Sequence, residues 1–230
     1  MRWQGKKAAL LRRHTPGATA LVLGLCLPLP ASAACEALNP PTPSVAVDIT
    51  GSPEPRIVPA SEAEIRRRAT ETNSDAPADA VTRGLTTSET SMHAGFTLAT
   101  QNPADGSHCV ALRRVEGTVT GRDATVLIDR RYRQGSCRYD TILTHERQHV
   151  QINADALKQT GRLLEERLNV VARRWAGQWL TESDTHQVER EVKEAIAEAE
   201  RLARKEADRR HHRIDTPAAY AQVQAGCDSW

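Results

Sequence analysis

The sequence predicts an α+β fold, a small antiparallel sheet followed by a long helical hairpin. Two observations predict it. Strand-like stretches with turn signals fill residues 86–132, and from residue 139 the apolar residues recur at steps of three and four. A third limits the core. Aromatics make up 3% of the 230 residues, so the core must be aliphatic and Ala-rich.

The elements follow in order. Residues 1–14 are basic, residues 17–29 are apolar, and Ala31-Ser32-Ala33 gives the small-x-small pattern of a signal-peptidase site. The apolar run falls short of the ~20 residues that a bilayer span needs. Residues 1–33 therefore read as a cleaved export signal, with a periplasmic or secreted product and no stable membrane span. A lipoprotein signal would cut before Cys35, but Ser32 stands where such a signal wants a Leu-like residue.

Residues 34–84 form a Pro-rich N-terminal segment, with Pro40, Pro41, Pro43, Pro53, Pro55 and Pro59. It holds one short strand at 45–49, a short helix at 62–69 capped by Ser61, and a polar loop at 73–80. Three strands follow, at 86–98, 110–120 and 125–132. Gly121-Arg122-Asp123 reads as the hairpin turn between the last two. The first long helix runs from about 139 to 180, bent at Gly161, with Ile142, His145, His149, Ile152, Ala156, Leu164, Leu168, Val171 and Trp175 on its apolar stripe. Residues 181–184 break it. Val188, Val192, Ala195, Ala199 and Leu202 mark the second helix, whose outer Glu, Arg and Lys residues form a solvated face. Asp215-Thr216-Pro217 caps a last short helix.

Charge narrows the partners. The formal net charge is +2, and the first 33 residues carry five cations and no acid, so the charge falls to −3 without them. Such a chain is no polyanion binder, which excludes nucleic acid. Of five cysteines, Cys26 leaves with the signal. The even set Cys35, Cys109, Cys137 and Cys227 suits an oxidising compartment. Of the three possible pairings, Cys109–Cys137 and Cys35–Cys227 are favoured.

Residues 143–150, Leu-Thr-His-Glu-Arg-Gln-His-Val, contain His-Glu-x-x-His on the first long helix. Residues four apart stack on one helix face, so His145 and His149 can present ring nitrogens to one metal ion. Glu146 lies about 100° round the helix, placed to act as base toward a zinc-activated water without being a ligand. Five such residues arise by chance in roughly one chain in a hundred. Here both histidines also fall on the apolar stripe, where unpartnered imidazoles would be costly.

The run from Cys137 to Val150 resembles the zincin metallopeptidases, and more narrowly the bacterial family of predicted secreted zinc-dependent proteases. The similarity extends over Gly84-Leu85-Thr86, the strand pair flanked by Cys109 and Cys137, the long helices, Ile214 to Tyr220 and Cys227, about two-thirds of the chain. The resemblance implies a zincin-like metallopeptidase domain at 85–230, with Zn²⁺ on His145 and His149 and Glu146 as catalytic base. It also implies that the strand before the helix, 125–132, is the edge on which an extended substrate lies. The default substrate is a peptide or protein, with a cell-wall peptide crosslink as another amide of the same class.

A catalytic zinc commonly has three protein ligands. The metzincin pattern would put Gly at 152 and His at 155, where this chain has Ile152 and Asp155. Asp155 is a candidate that an uninterrupted helix turns away from His149. A reversal near residue 182 returns 208–217, with Asp208, His211, His212 and Asp215, beside the motif, and Glu206 on the apolar face of its helix is a further candidate. His211 is favoured, and Asp215 reads first as a helix cap. Tyr220 or Tyr139 could polarise a substrate carbonyl. The reading that results is an exported zinc-dependent peptidase. Its alternative is a non-catalytic envelope binding or scaffold protein with a structural or vestigial metal site.

Overall fold

The computed structural model describes residues 33–51, 54–72 and 83–228. Apart from Ala33, the expected export signal lies outside the described residues, as does the expected loop at 73–80.

The sheet is built on β4 (Cys109–Asp129), 21 residues long. β3 (Gly84–Gln101) runs antiparallel along nearly all of it, from Gly84 opposite Ile128 to Gln101 opposite Cys109. β1 (Ser44–Thr50) and β2 (Arg56–Ala60) pair parallel with β4, at 114–120 and 125–129. Since β3 fills one edge of β4, β1 and β2 follow one another along the opposite edge. The sheet is therefore mixed, with two parallel pairings, and the architecture is α/β-like. This overturns the expected α+β class with its small antiparallel sheet and helical hairpin. Periodicity reports which residues face the core but not the direction in which strands pair. Proline also hid β2. Pro59 lacks an N–H, and it is tolerated because β2 borders β4 on one side only.

The expected hairpin at Gly121-Arg122-Asp123 is a bulge inside one continuous strand. Asp123 has φ 51°, a left-handed conformation that Asp tolerates better than most residues. The register steps from Thr87 opposite Thr125 to Glu89 opposite Arg122, so Asp123 and Ala124 face the single residue Ser88. A one-residue insertion reverses the side-chain alternation of its strand. Before the bulge, Val115, Gly117 and Val119 point at the helices. After it, Val126 and Ile128 do so, and Leu127 points the other way. β3 has no insertion there, so Gly84, Thr86, Thr90, Met92 and Ala94 all share the inner face.

The helical layer consists of α3 (Cys137–Arg174) and α4 (Glu182–Ile214). They run antiparallel, as Trp175 Nε1–Glu191 Oε2 at 2.9 Å and Arg210 Nη2–Asp155 Oδ2 at 2.7 Å require. Ser136 caps α3 and a Thr181–Asp184 capping box starts α4. Leu157, Leu164, Leu168 and Val171 of α3, with Val188, Val192, Ala195 and Ala199 of α4, bury against Leu112, Val115 and Val119. The alanine stripe of α4 lets the two helix backbones come close. α3 is a single helix through Gly161, and the glycine has a packing role there. A Cβ there would collide with Ile49 Cδ1, so the glycine makes room for β1.

A short α1 (Ala33–Glu36) precedes β1, and α2 (Glu62–Thr72) covers the far face of the sheet, where Ile65 meets Leu127 and Ala60. Around Val126-Leu127-Ile128 the sheet is thus covered on both faces, which is why that run is uniformly apolar.

Both favoured cysteine pairings are wrong. Cys35 bonds to Cys109, and Cys137 bonds to Cys227 beyond α5 (Pro217–Ala225). The first ties the start of the described chain to the start of β4. The second ties the end of the chain to the first turn of α3, because α5 folds back along that turn. The two bonds fit an oxidising compartment. No described helix is long and apolar enough to cross a membrane. Cys35 and Cys109 are 4% and 1% exposed, whereas Cys137 is at the surface. A mild thiol is therefore expected to open Cys137–Cys227 first, because exchange needs access to a sulfur. Alkylation followed by peptide mass mapping checks this. Equal early labelling of Cys35 and Cys109 would contradict it.

Candidate metal centre

His145 and His149 lie one turn apart on α3, at the end of the molecule where α4 returns. His145 is buried and the His149 side chain is 12% exposed. Their Nε2 atoms are 3.2 Å apart. Asp215 Oδ1 lies 3.3 Å from the first and 3.1 Å from the second. These atoms form a nearly equilateral triangle. Ligands bound at 2.0–2.1 Å in tetrahedral geometry stand about 3.3 Å apart. The donor set of two imidazoles and a carboxylate can therefore close on one metal ion with little movement.

Asp215 reaches this position because a neighbour takes the role expected of it. Thr216 caps α5, its side chain accepting from the Ala219 N–H at 3.1 Å. Asp215 itself is the C-cap of α4, and its N–H bonds to the His211 carbonyl at 3.0 Å. Its carboxylate is left to face the histidines and to accept from the Tyr220 hydroxyl at 3.0 Å. Burial alone would raise the Asp215 pKa. The hydrogen bonds from His145 and His149 outweigh it and hold the carboxyl well below the usual range. The same carboxylate, adding to burial, pushes the Tyr220 phenol above its ordinary value. Burial would lower His149, but the Asp215 hydrogen bond and the Glu146 charge leave it raised.

Glu146 is 4% exposed, beside the triangle. Burial raises its carboxyl, opposed by the charge of His149 and a hydrogen bond from Thr86. Thr86 Oγ1 is 2.8 Å from Glu146 Oε2 and 3.1 Å from the Glu146 carbonyl. Gly84 supplies the remaining space, since a Cβ there would meet Glu146 Oε1 at 2.6 Å and Ile142 Cγ2 at 2.8 Å. Both residues share the inner face of β3. The strand start is braced from outside, where Arg83 lies 3.8 Å from buried Asp129 and its carbonyl accepts from the Asp129 N–H at 2.9 Å. The resemblance included Gly84-Leu85-Thr86 but gave these residues no role.

The other expected residues separate. His211, the favoured third ligand, stands behind His149 with Nδ1 2.7 Å from His149 Nδ1. Asp155 pairs with Arg210 and accepts from Gln151 at 2.8 Å, turned away from the site. Glu206 pairs with Arg209 in the solvated face of α4. Tyr139 packs against the Val126–Ile142 cluster, while Tyr220 stands over the site, its ring 5.3 Å from that of His145. The strand at 125–132 is not a substrate edge. Its 125–128 part has β3 on one side, and 125–129 has β2 on the other.

A shallow, half-open groove runs along α3 next to the site. Val150, Ala154 and Leu157 line its helix side, and Thr86, Ser88 and Thr90 of β3 its sheet side. Comparison with protein-family models, curated proteins and solved structures gave no match to this chain.

Proposed function

We propose that this chain is an exported zinc-dependent peptidase. The observation that carries the reading is the triangle of His145 Nε2, His149 Nε2 and Asp215 Oδ1, with sides of 3.1–3.3 Å, beside the buried Glu146. Two imidazoles and one carboxylate suit a catalytic zinc, which commonly has three protein ligands. Zinc held there would polarise a peptide carbonyl and acidify the attacking water.

The remaining chemistry falls to the chain. Glu146 accepts the proton of the attacking water and passes it to the leaving nitrogen. Its raised pKa suits a group that must both take and release a proton. Thr86 fixes one carboxylate oxygen, and the absent side chain of Gly84 leaves room for the other. Tyr220, exposed at the rim, is placed to donate to the carbonyl oxygen as it gains charge. β3 borders only β4 among the described strands. An extended peptide would add to its outer edge and send a side chain into the adjoining groove. Export is supported by the basic, apolar and small-x-small order of residues 1–33 and by the two disulfides.

Elemental analysis of the oxidised protein tests the reading. About one zinc per chain is expected, lost in His149→Ala, with cleavage of a quenched fluorescent peptide library that stops on chelation and returns with zinc. Iron in place of zinc, or no metal after incubation with zinc at neutral pH, would overturn it.

A further inference from the structure

We propose that His211 is a positioning residue that, with Asn153, fixes the tautomer in which His149 can bind a metal. The inference rests on the metal site proposed above. It concerns His211 and Asn153, to which the mechanism above gives no role.

The geometry is a directed chain of hydrogen bonds. His149 Nδ1 and His211 Nδ1 are 2.7 Å apart, and His211 Nε2 is 3.0 Å from Asn153 Oδ1. The two rings are within 20° of parallel, with centroids 5.0 Å apart. That separation equals the nitrogen–nitrogen distance plus the two ring radii. The bond therefore lies in the planes of both rings, along the lone-pair direction, and the rings are not stacked face to face.

An amide oxygen only accepts, so His211 Nε2 carries a hydrogen. A neutral His211 then has a lone pair on Nδ1, which can only accept. His149 Nδ1 must supply that hydrogen, so the nitrogen left for a metal is Nε2, whose proton toward Asp215 a bound cation would replace. That atom is the one 3.1 Å from Asp215 and 3.2 Å from His145 Nε2. Metal-binding imidazoles commonly donate their second N–H to a carbonyl or carboxylate. Here another imidazole accepts it and is itself held by an amide.

The arrangement also joins the helices. Asn153 is one turn beyond His149 on α3, and His211 is on the last turn of α4, directly before Asp215. The orientation of one proposed ligand and the approach of another thus depend on the same contact. Asn153 also lines the groove beside the site.

Nitrogen-15 histidine spectra and competitive zinc titration of the oxidised protein test the proposal. In the zinc-loaded protein, His149 is expected to show a protonated Nδ1 and a zinc-shifted Nε2. His211 is expected to show a protonated Nε2 and no zinc shift. His211→Phe removes the acceptor and should weaken zinc binding about 10–100-fold. His211→Gln restores a carbonyl acceptor and should recover most of that loss. Circular dichroism and the zinc-free melting temperature separate misfolding from mispositioning. Wild-type zinc binding with equal affinity in His211→Phe would overturn the role of His211 and leave the metal site standing. A zinc-shifted His211 nitrogen would overturn it by making His211 a ligand. No zinc in the wild type would overturn both readings.

Discussion

Glu146→Gln is expected to keep about one zinc per chain and to lose peptide hydrolysis by about 10²–10⁴-fold, the usual worth of a positioned general base. The two effects separate because Glu146 is not a corner of the His145, His149 and Asp215 triangle. Gln keeps the length and one oxygen, so Thr86 Oγ1 retains an acceptor where it now meets Glu146 Oε2 at 2.8 Å. The substitution also removes a buried carboxyl whose charged form burial disfavours, so the fold is not expected to weaken. The assay pairs zinc content with cleavage of the same peptide library. Hydrolysis unchanged in the variant would sink the mechanism, even if zinc were present. Loss of zinc together with hydrolysis would mean that the carboxylate holds the metal.

The parts of the site that could be read from sequence are those set by one helix. His145, Glu146 and His149 depend only on the α-helical repeat, which places the two imidazoles on one face. The same repeat marked the buried stripe of α3 from Ile142 to Val171. What was misread depends on contacts between distant segments. Asp215-Thr216-Pro217 contains two residues able to cap a helix, and only the fold shows that Thr216 caps and Asp215 turns inward. His211 was placed correctly beside the motif by the return of the second helix, but at the wrong nitrogen of His149.

The sheet was harder to read for related reasons. Gly121-Arg122-Asp123 has the composition of a turn, and a left-handed Asp serves a bulge as well as a hairpin. Treating it as a hairpin split β4 in two, turned an interior strand into an edge and hid the parallel pairings of β1 and β2. Four cysteines allow three pairings, and spacing alone favoured the wrong one. The Cys137–Cys227 bond follows from α5 doubling back on α3, which no local pattern in residues 217–225 announces.

Asp215→Ala is expected to lower zinc affinity more than 100-fold, because removing a partner that merely orients a ligand already costs 10–100-fold. The segment around it should stay in place. Thr216 still caps α5, Cys227 still bonds to Cys137, and the backbone N–H of residue 215 still reaches the His211 carbonyl. The substitution therefore removes one corner of the triangle and leaves the other two as they are. Asp155→Ala and Glu206→Ala are the fitting comparisons, since both carboxylates pair with arginines away from the site. Glu206→Ala should bind zinc within about threefold of wild type, as an independent site does. Asp155→Ala, which breaks the Arg210 tie between the helices, should lose much less than Asp215→Ala. Chelator competition on the three variants reads the difference directly. Wild-type affinity in Asp215→Ala would remove Asp215 from the metal site. A matching loss in Asp155→Ala would mean that α3 turns its other face to the metal. Tyr220 adds a further check, because its hydroxyl loses its 3.0 Å acceptor in Asp215→Ala. Its phenol, now held above its ordinary value by burial and by the Asp215 charge, should then titrate at lower pH than in the zinc-free wild type.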